Sequence, residues 1–154
     1  MDNLTLKVVG LGHTVSIDIS PSATVRDLQK EVESQTSLPA AYQRLIFRGK
    51  KLDDDSRVLG QDNDGLGIEH RTRLMLLHNE FFAADKKGID AINAQLSGID
   101  DLEKKIKEGS LQHKVVDELI TRICCNLDAV DTNGSERLRA MRKDAIRKAE
   151  SLAN

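Results

Sequence analysis

The stretch Gln43-Arg44-Leu45-Ile46-Phe47-Arg48-Gly49-Lys50-Lys51-Leu52 decides how the first half of this 154-residue chain is read. Arg44 to Phe47 reads as a strand, and Arg48-Gly49-Lys50 supplies the residues of a tight turn. Leu45 and Phe47 share one face of that strand, so alternation sends the apolar Ile46 to the other. Working outward, Leu4, Leu6 and Val8 recur at period two, as do Val15, Ile17 and Ile19, which implies two strands facing one core. Between them, Gly10-Leu11-Gly12-His13 tolerates the positive φ of a hairpin. From Ser22 to Gln35, Val25, Leu28 and Val32 fall three and four residues apart, with Ser22 or Thr24 as the cap and Asp27 in the first turn of an amphipathic helix. A loop dense in Asp and Gly follows Lys50, and a last strand runs through Arg73-Leu74-Met75-Leu76-Leu77.

Strand, hairpin, strand, helix, strand, loop, strand is the order of an α+β β-grasp. QRLIF at 43–47, GKKL at 49–52 and SPSATV at 20–25 resemble ubiquitin, over residues 4–78, and residues 1–80 are identified as a ubiquitin-like domain. The resemblance implies an apolar recognition patch at Leu11, Ile46 and Leu77, with a ubiquitin receptor or the proteasome as partner. For Ile46 the alternation supports exposure independently, and an exposed apolar cluster is informative. There are departures. The turn that carries Leu11 is one residue shorter than ubiquitin's, and the loop from Gly60 to Arg71 is about four residues longer, as surface loops tolerate. Where ubiquitin ends in a free Gly-Gly tail, this strand runs into His78-Asn79-Glu80-Phe81 and the chain continues. A binding module is therefore expected here, and a covalent modifier is excluded.

The second half differs in kind. Both prolines, Pro21 and Pro39, lie in the first 40 residues, and the aromatic side chains, Tyr42, Phe47, Phe81 and Phe82, all precede residue 83. Ile89, Ile92, Leu96, Ile99, Leu102 and Ile106 predict one long amphipathic helix over 83–108. Gly88 and Gly98 each weaken it by about 1 kcal/mol relative to Ala and leave room for a bend. Val116, Leu119, Ile120, Ile123, Cys124, Leu127 and Val130 form a second stripe; Leu138, Met141, Ala145, Ile146, Ala149 and Leu152 form a third. Three such helices with short links predict an all-α antiparallel three-helix bundle over 81–154. Residues 110–132 carry a net charge of -2 and residues 133–154 a net +3, so adjacent helices present opposite signs. Either these charges pair within the bundle on solvated faces, or they form a bipolar docking surface.

A ubiquitin-like domain followed by a three-helix bundle resembles the BAG-domain co-chaperones. In that family an acidic pair ten residues apart on the second helix contacts the nucleotide-binding domain of heat shock protein 70. An Arg-Lys pair, and a Gln eight residues past that Arg, do so from the third helix. Glu118 and Asp128 match the acidic pair, Arg142 and Lys143 the basic one, and Glu150 stands where the Gln is expected. A second register uses Asp131 and loses the first acid to Thr121. The resemblance implies an adaptor and nucleotide exchange factor that promotes ADP release, with no cofactor. A scaffold whose bundle binds itself or another helix, without effect on a nucleotide cycle, is the alternative.

Other classes fit less well. Net charge is -2, with 10 basic against 12 acidic residues in 1–80 and 13 against 13 afterwards, so neither half has the basic excess of a nucleic-acid binder. No stretch approaches the roughly 20 apolar residues of a membrane span, and a signal peptide is not expected. Cytoplasmic location is expected, with the nucleus also open to the chain. Cys124 and Cys125 are adjacent, which suits neither a disulfide framework nor a metal pair, and they are expected to be buried structural thiols. His13, His70, His78 and His113 have no metal-ligand spacing. Asp62 and Asp64 precede Gly65 as in a calcium loop, but that frame puts Gly60 first and Arg71 last, where carboxylates are needed. Gly49-Lys50 lacks the earlier glycine of a P-loop. No nucleophile, base and orienting group come together, which disfavours an enzyme.

Overall fold

The alternating stretches form strands β1 (Leu4–Gly10) and β2 (His13–Ile19), joined by a two-residue turn in which Leu11 and Gly12 have φ of 52° and 80°. The computed structural model describes residues 3–61 and 65–153, and its contacts divide the chain into two units, Met1–Phe82 and Ala83–Asn154. In the first unit, β3 (Gln43–Phe47), the short β4 (Lys50–Lys51) and β5 (Arg73–His78) complete a sheet of order β2-β1-β5-β3-β4. β5 lies parallel to β1 and antiparallel to β3, as a β-grasp requires. A Cβ on Gly10 would stand 2.0 Å from the Leu76 carbonyl oxygen, so only glycine lets the end of β1 approach β5 this closely.

Helix α1 (Val25–Thr36) starts from Thr24, whose hydroxyl accepts from the Asp27 N–H while the Asp27 carboxylate accepts from the Thr24 N–H. That reciprocal pair satisfies two of the donors a helix start leaves open. Val25, Leu28 and Val32 of α1 bury completely against Leu6, Leu45, Leu74 and Leu76 of the sheet. The extended loop does more than cross the surface. Its Ile68 N–H donates to Leu59 O at 2.8 Å, and the Ile68 side chain joins the core. Asp62 and Asp64, which prompted the calcium-loop comparison, lie outside the described residues.

The second unit contains three helices: α2 (Glu80–Lys107, whose first turn belongs to the first unit), α3 (His113–Asp128) and α4 (Glu136–Ser151). The apolar stripes face inward through Ile89, Ile92, Ile99 and Leu102, then Val116, Ile120 and Leu127, then Leu138, Ala145 and Ala149. Where Gly88 and Gly98 leave room for a bend, α2 runs as unbroken helix through both. Gly88 has a packing reason: a Cβ there would meet Leu138 Cδ1 at 2.6 Å. The helix also begins earlier than its stripe indicated, because Asn79 Oδ1 accepts from the Phe81 N–H and caps the first turn. Within the first unit, Asn79 Nδ2 donates to Ala41 O at 2.7 Å, Arg44 pairs with Glu80, and Phe82 stacks on His78 with ring centres 3.5 Å apart.

Candidate functional site

The outer face of the sheet is set by register. Ile46 lies opposite Met75 across β3 and β5, and Val9 lies opposite Met75 across β1 and β5. Directly opposed residues stand roughly 5 Å apart, so the three apolar side chains form one row. Met75 is 52% exposed, while Val9 and Ile46 are half-buried by their neighbours. Leu45 and Phe47 are buried, so Ile46 does occupy the opposite face. Leu77 follows Met75 by two residues on that face, opposite Arg44, and is 36% exposed. Leu11 is exposed at the hairpin tip, beyond the last paired residue of β1. Met75 and Val9 were missed, although alternation with the buried Leu74, Leu76 and Val8 carried the signal. Basic side chains flank the row: Lys51 is opposite Ile46, and Lys7 is opposite Arg73.

The second candidate surface lies on α3 and α4. Glu118, Thr121, Cys125 and Asp128 are exposed at spacings of three and four along α3, which puts them on one side of the helix. Lys143 and Glu150 are exposed on α4, and Arg142 is half-buried. Among the described residues, Glu118, Asp128, Lys143 and Glu150 take part in no ion pair. Arg142 Nη1 donates to Val130 O at 3.0 Å, just past the end of α3, where a cation also meets the negative end of the helix dipole. Asp131 is drawn into the turn, its Oδ1 accepting from the Asn133 N–H at 2.9 Å. In that use Asp131 differs from Asp128, which is exposed on α3.

The cysteines require a correction. Adjacent helical residues are about 100° apart, so both cannot face inward. Cys124 is half-buried and Cys125 is exposed. Burial pushes the Cys124 thiol up, and the nearby Glu150 and Asp128 carboxylates push it further. It is a poor nucleophile. Among the described residues no group of three His, Cys, Asp or Glu could hold a metal ion. Nor, among them, is any helix long and apolar enough to cross a membrane.

Comparison with known proteins places both halves. The model of the ubiquitin family matches residues 4–63, and the BAG domain model matches residues 82–154. The chain joins a ubiquitin-family domain to a BAG domain. Over 59 residues it is 32% identical to ubiquitin-like protein NEDD8 of Dictyostelium discoideum, covering 38% of this chain and 77% of that one. It is 43% identical over 49 residues to UV excision repair protein RAD23 homolog B of Bos taurus, covering 30% of this chain and 12% of that protein. Among solved structures, ATBAG1, crystallised in complex with HSP70, aligns over 97% of this chain and 93% of its own at 16% identity and a TM-score of 0.43. In this BAG-domain chain, α3 and α4 lie within the residues that the BAG model matches, and the Val9–Met75–Ile46 row lies on the sheet of the ubiquitin-like unit.

Proposed function

We propose that the α3–α4 face docks the nucleotide-binding domain of heat shock protein 70 and promotes ADP release, while the outer face of the sheet binds ubiquitin receptors such as those of the proteasome. The chain would act in the cytoplasm as an adaptor that performs no bond chemistry itself. The observation that carries this reading is the set of ion-pair-free charges, Glu118, Asp128, Lys143 and Glu150, on two adjoining helices of a BAG domain. Exposed charges of both signs that ignore each other are available to a partner of complementary pattern. Glu118 and Asp128 would meet basic groups of the chaperone, and Arg142 and Lys143 acidic ones. Glu150 can only accept while ionised, whereas a glutamine would also donate, so its partner must be a donor.

Promoting ADP release requires tighter binding to the open state of the chaperone than to the closed one. Stopped-flow release of a labelled nucleotide from heat shock protein 70, with and without this chain, tests the proposal. Wild type should accelerate release, and Arg142→Ala should lose on the order of 2 kcal/mol of binding if its guanidinium is a desolvated anchor. Acceleration undiminished in a folded Arg142→Ala variant would overturn the docking assignment. Binding without acceleration would instead make the bundle a scaffold. For the sheet, Ile46→Ala should reduce capture of proteasomal receptors.

A further inference from the structure

α3 and α4 are joined by residues 129–135, in which Asn133 and Gly134 take successive left-handed conformations at φ of 47° and 75°. Of this turn Thr132 is buried and Val130 half-buried, while Asp131, Asn133 and Gly134 are exposed. A groove of about 380 Å³ separates it from α2, lined by Ala84, Gly88 and Ala91 on one side and by Ala129, Val130 and Asn133 on the other. Polar bonds tie the turn down from two sides. Ser135 Oγ donates to Asp85 Oδ2 of α2 at 2.8 Å, across 50 residues of sequence, and accepts from the Leu138 N–H at 3.2 Å as the cap of α4. From α4, Arg142 Nη1 holds Val130 O at 3.0 Å.

We propose that Asp85 and Ser135 are positioning residues for chaperone docking, a proposal that rests on the function given above. The acidic row sits on α3 and the basic pair on α4, so the spacing between them depends on the turn. Charged groups fixed at their spacing before contact avoid an ordering cost that would otherwise fall on binding. Asp85 reaches the turn from α2, which contributes none of the docking charges. Ser135 couples that hold to the start of α4, one turn after which Leu138 packs into the space left by Gly88. Neither residue touches the partner; they act through Asp128, Arg142 and Lys143.

The test uses the full chain, with Asp85→Ala, Asp85→Asn, Ser135→Ala and Ser135→Thr. Amide exchange over residues 129–135 is measured in the free protein, and affinity for the chaperone's nucleotide-binding domain well below the melting temperature. Asp85→Ala and Ser135→Ala should each speed exchange in the turn and weaken binding about five- to tenfold, the scale of one or two side chains ordered at an interface. Their combination should fall short of the sum of the two effects, because both remove the Ser135–Asp85 bond. Asp85→Asn and Ser135→Thr, which keep the acceptor and the hydroxyl, should bind within about twofold of wild type. A purely structural role would lower the melting temperature and leave affinity unmoved. Unchanged exchange in Asp85→Ala, or faster exchange with wild-type affinity, overturns the proposal. Failure of wild type to bind the chaperone at all overturns the docking reading and this proposal together.

Discussion

The two surfaces are built on opposite principles. On the sheet, an apolar row is assembled by the hydrogen-bond ladder: Val9, Met75 and Ile46 come together because β1, β5 and β3 are in register, and basic residues border them. On the bundle, the exposed face is charged, its members lie on separate helices, and their spacing depends on a turn tied by side chains. A sheet fixes neighbours through its backbone, whereas a pair of helices fixes them only through what joins the two. The sheet surface should therefore tolerate side-chain changes at its edges, and its binding should depend weakly on salt. The bundle surface should lose affinity as salt is added, because exposed charges are screened over about 10 Å at 0.1 M.

Variants can break this contrast, and the largest effect is expected from the charges. Replacing Glu118 and Asp128 together by Lys should weaken chaperone binding by at least about 3 kcal/mol through like-charge contact, with receptor binding by the sheet unchanged in the same preparation. Gly10→Ala should act on the other unit only. Its Cβ collides with the Leu76 backbone, so a loss of about 2–3 kcal/mol is expected in the unfolding of the ubiquitin-like domain, while helical signal from the bundle persists on heating. Met75→Ala should lower affinity for a ubiquitin receptor by about 1–2 kcal/mol, measured by titration, without moving nucleotide release from the chaperone. Thr24→Ala, which removes the α1 cap, should cost about 1 kcal/mol in denaturant unfolding of the same domain.

Acid and thiol chemistry sharpen the contrast further. The Thr24 N–H holds the Asp27 carboxyl below its ordinary range. Asp27 therefore adds stability at neutral pH that disappears as pH falls through its lowered value, and Asp27→Asn should flatten that part of the acid unfolding curve. On α3, an alkylating reagent near neutral pH should label the exposed Cys125 well before Cys124, whose thiol is raised by burial and by two carboxylates. Bound chaperone should protect Cys125, which lies between Thr121 and Asp128 on the acidic side. Equal labelling with and without chaperone would place the partner on another face.

What could be read in advance followed local periodicity. The strands, α1, the three stripes and the outward turn of Ile46 all rest on spacings of two, three or four residues, and those spacings were visible. The same rule exposes Met75 between Leu74 and Leu76, but the unbroken apolar run from Leu74 to Leu77 shows no alternation in residue type. A loop has no period to show that the Ile68 side chain turns inward. The family resemblance points to Glu118 and Asp128, yet nothing local separates the exposed Asp128 from Asp131, which closes a turn. The glycines of α2 suggested weakness, and only Leu138 explains Gly88.

The sequence by itself determined the elements and the faces they turn to solvent, because propensity, alternation and capping act within a few residues along the chain. Tertiary structure decided what lies across from what: Val9 beside Met75 beside Ile46, Arg142 against Val130, and Ser135 against Asp85 fifty residues away. Such pairings depend on sheet register and helix packing, which sum many weak contacts over the whole domain, and no single spacing in the sequence encodes them.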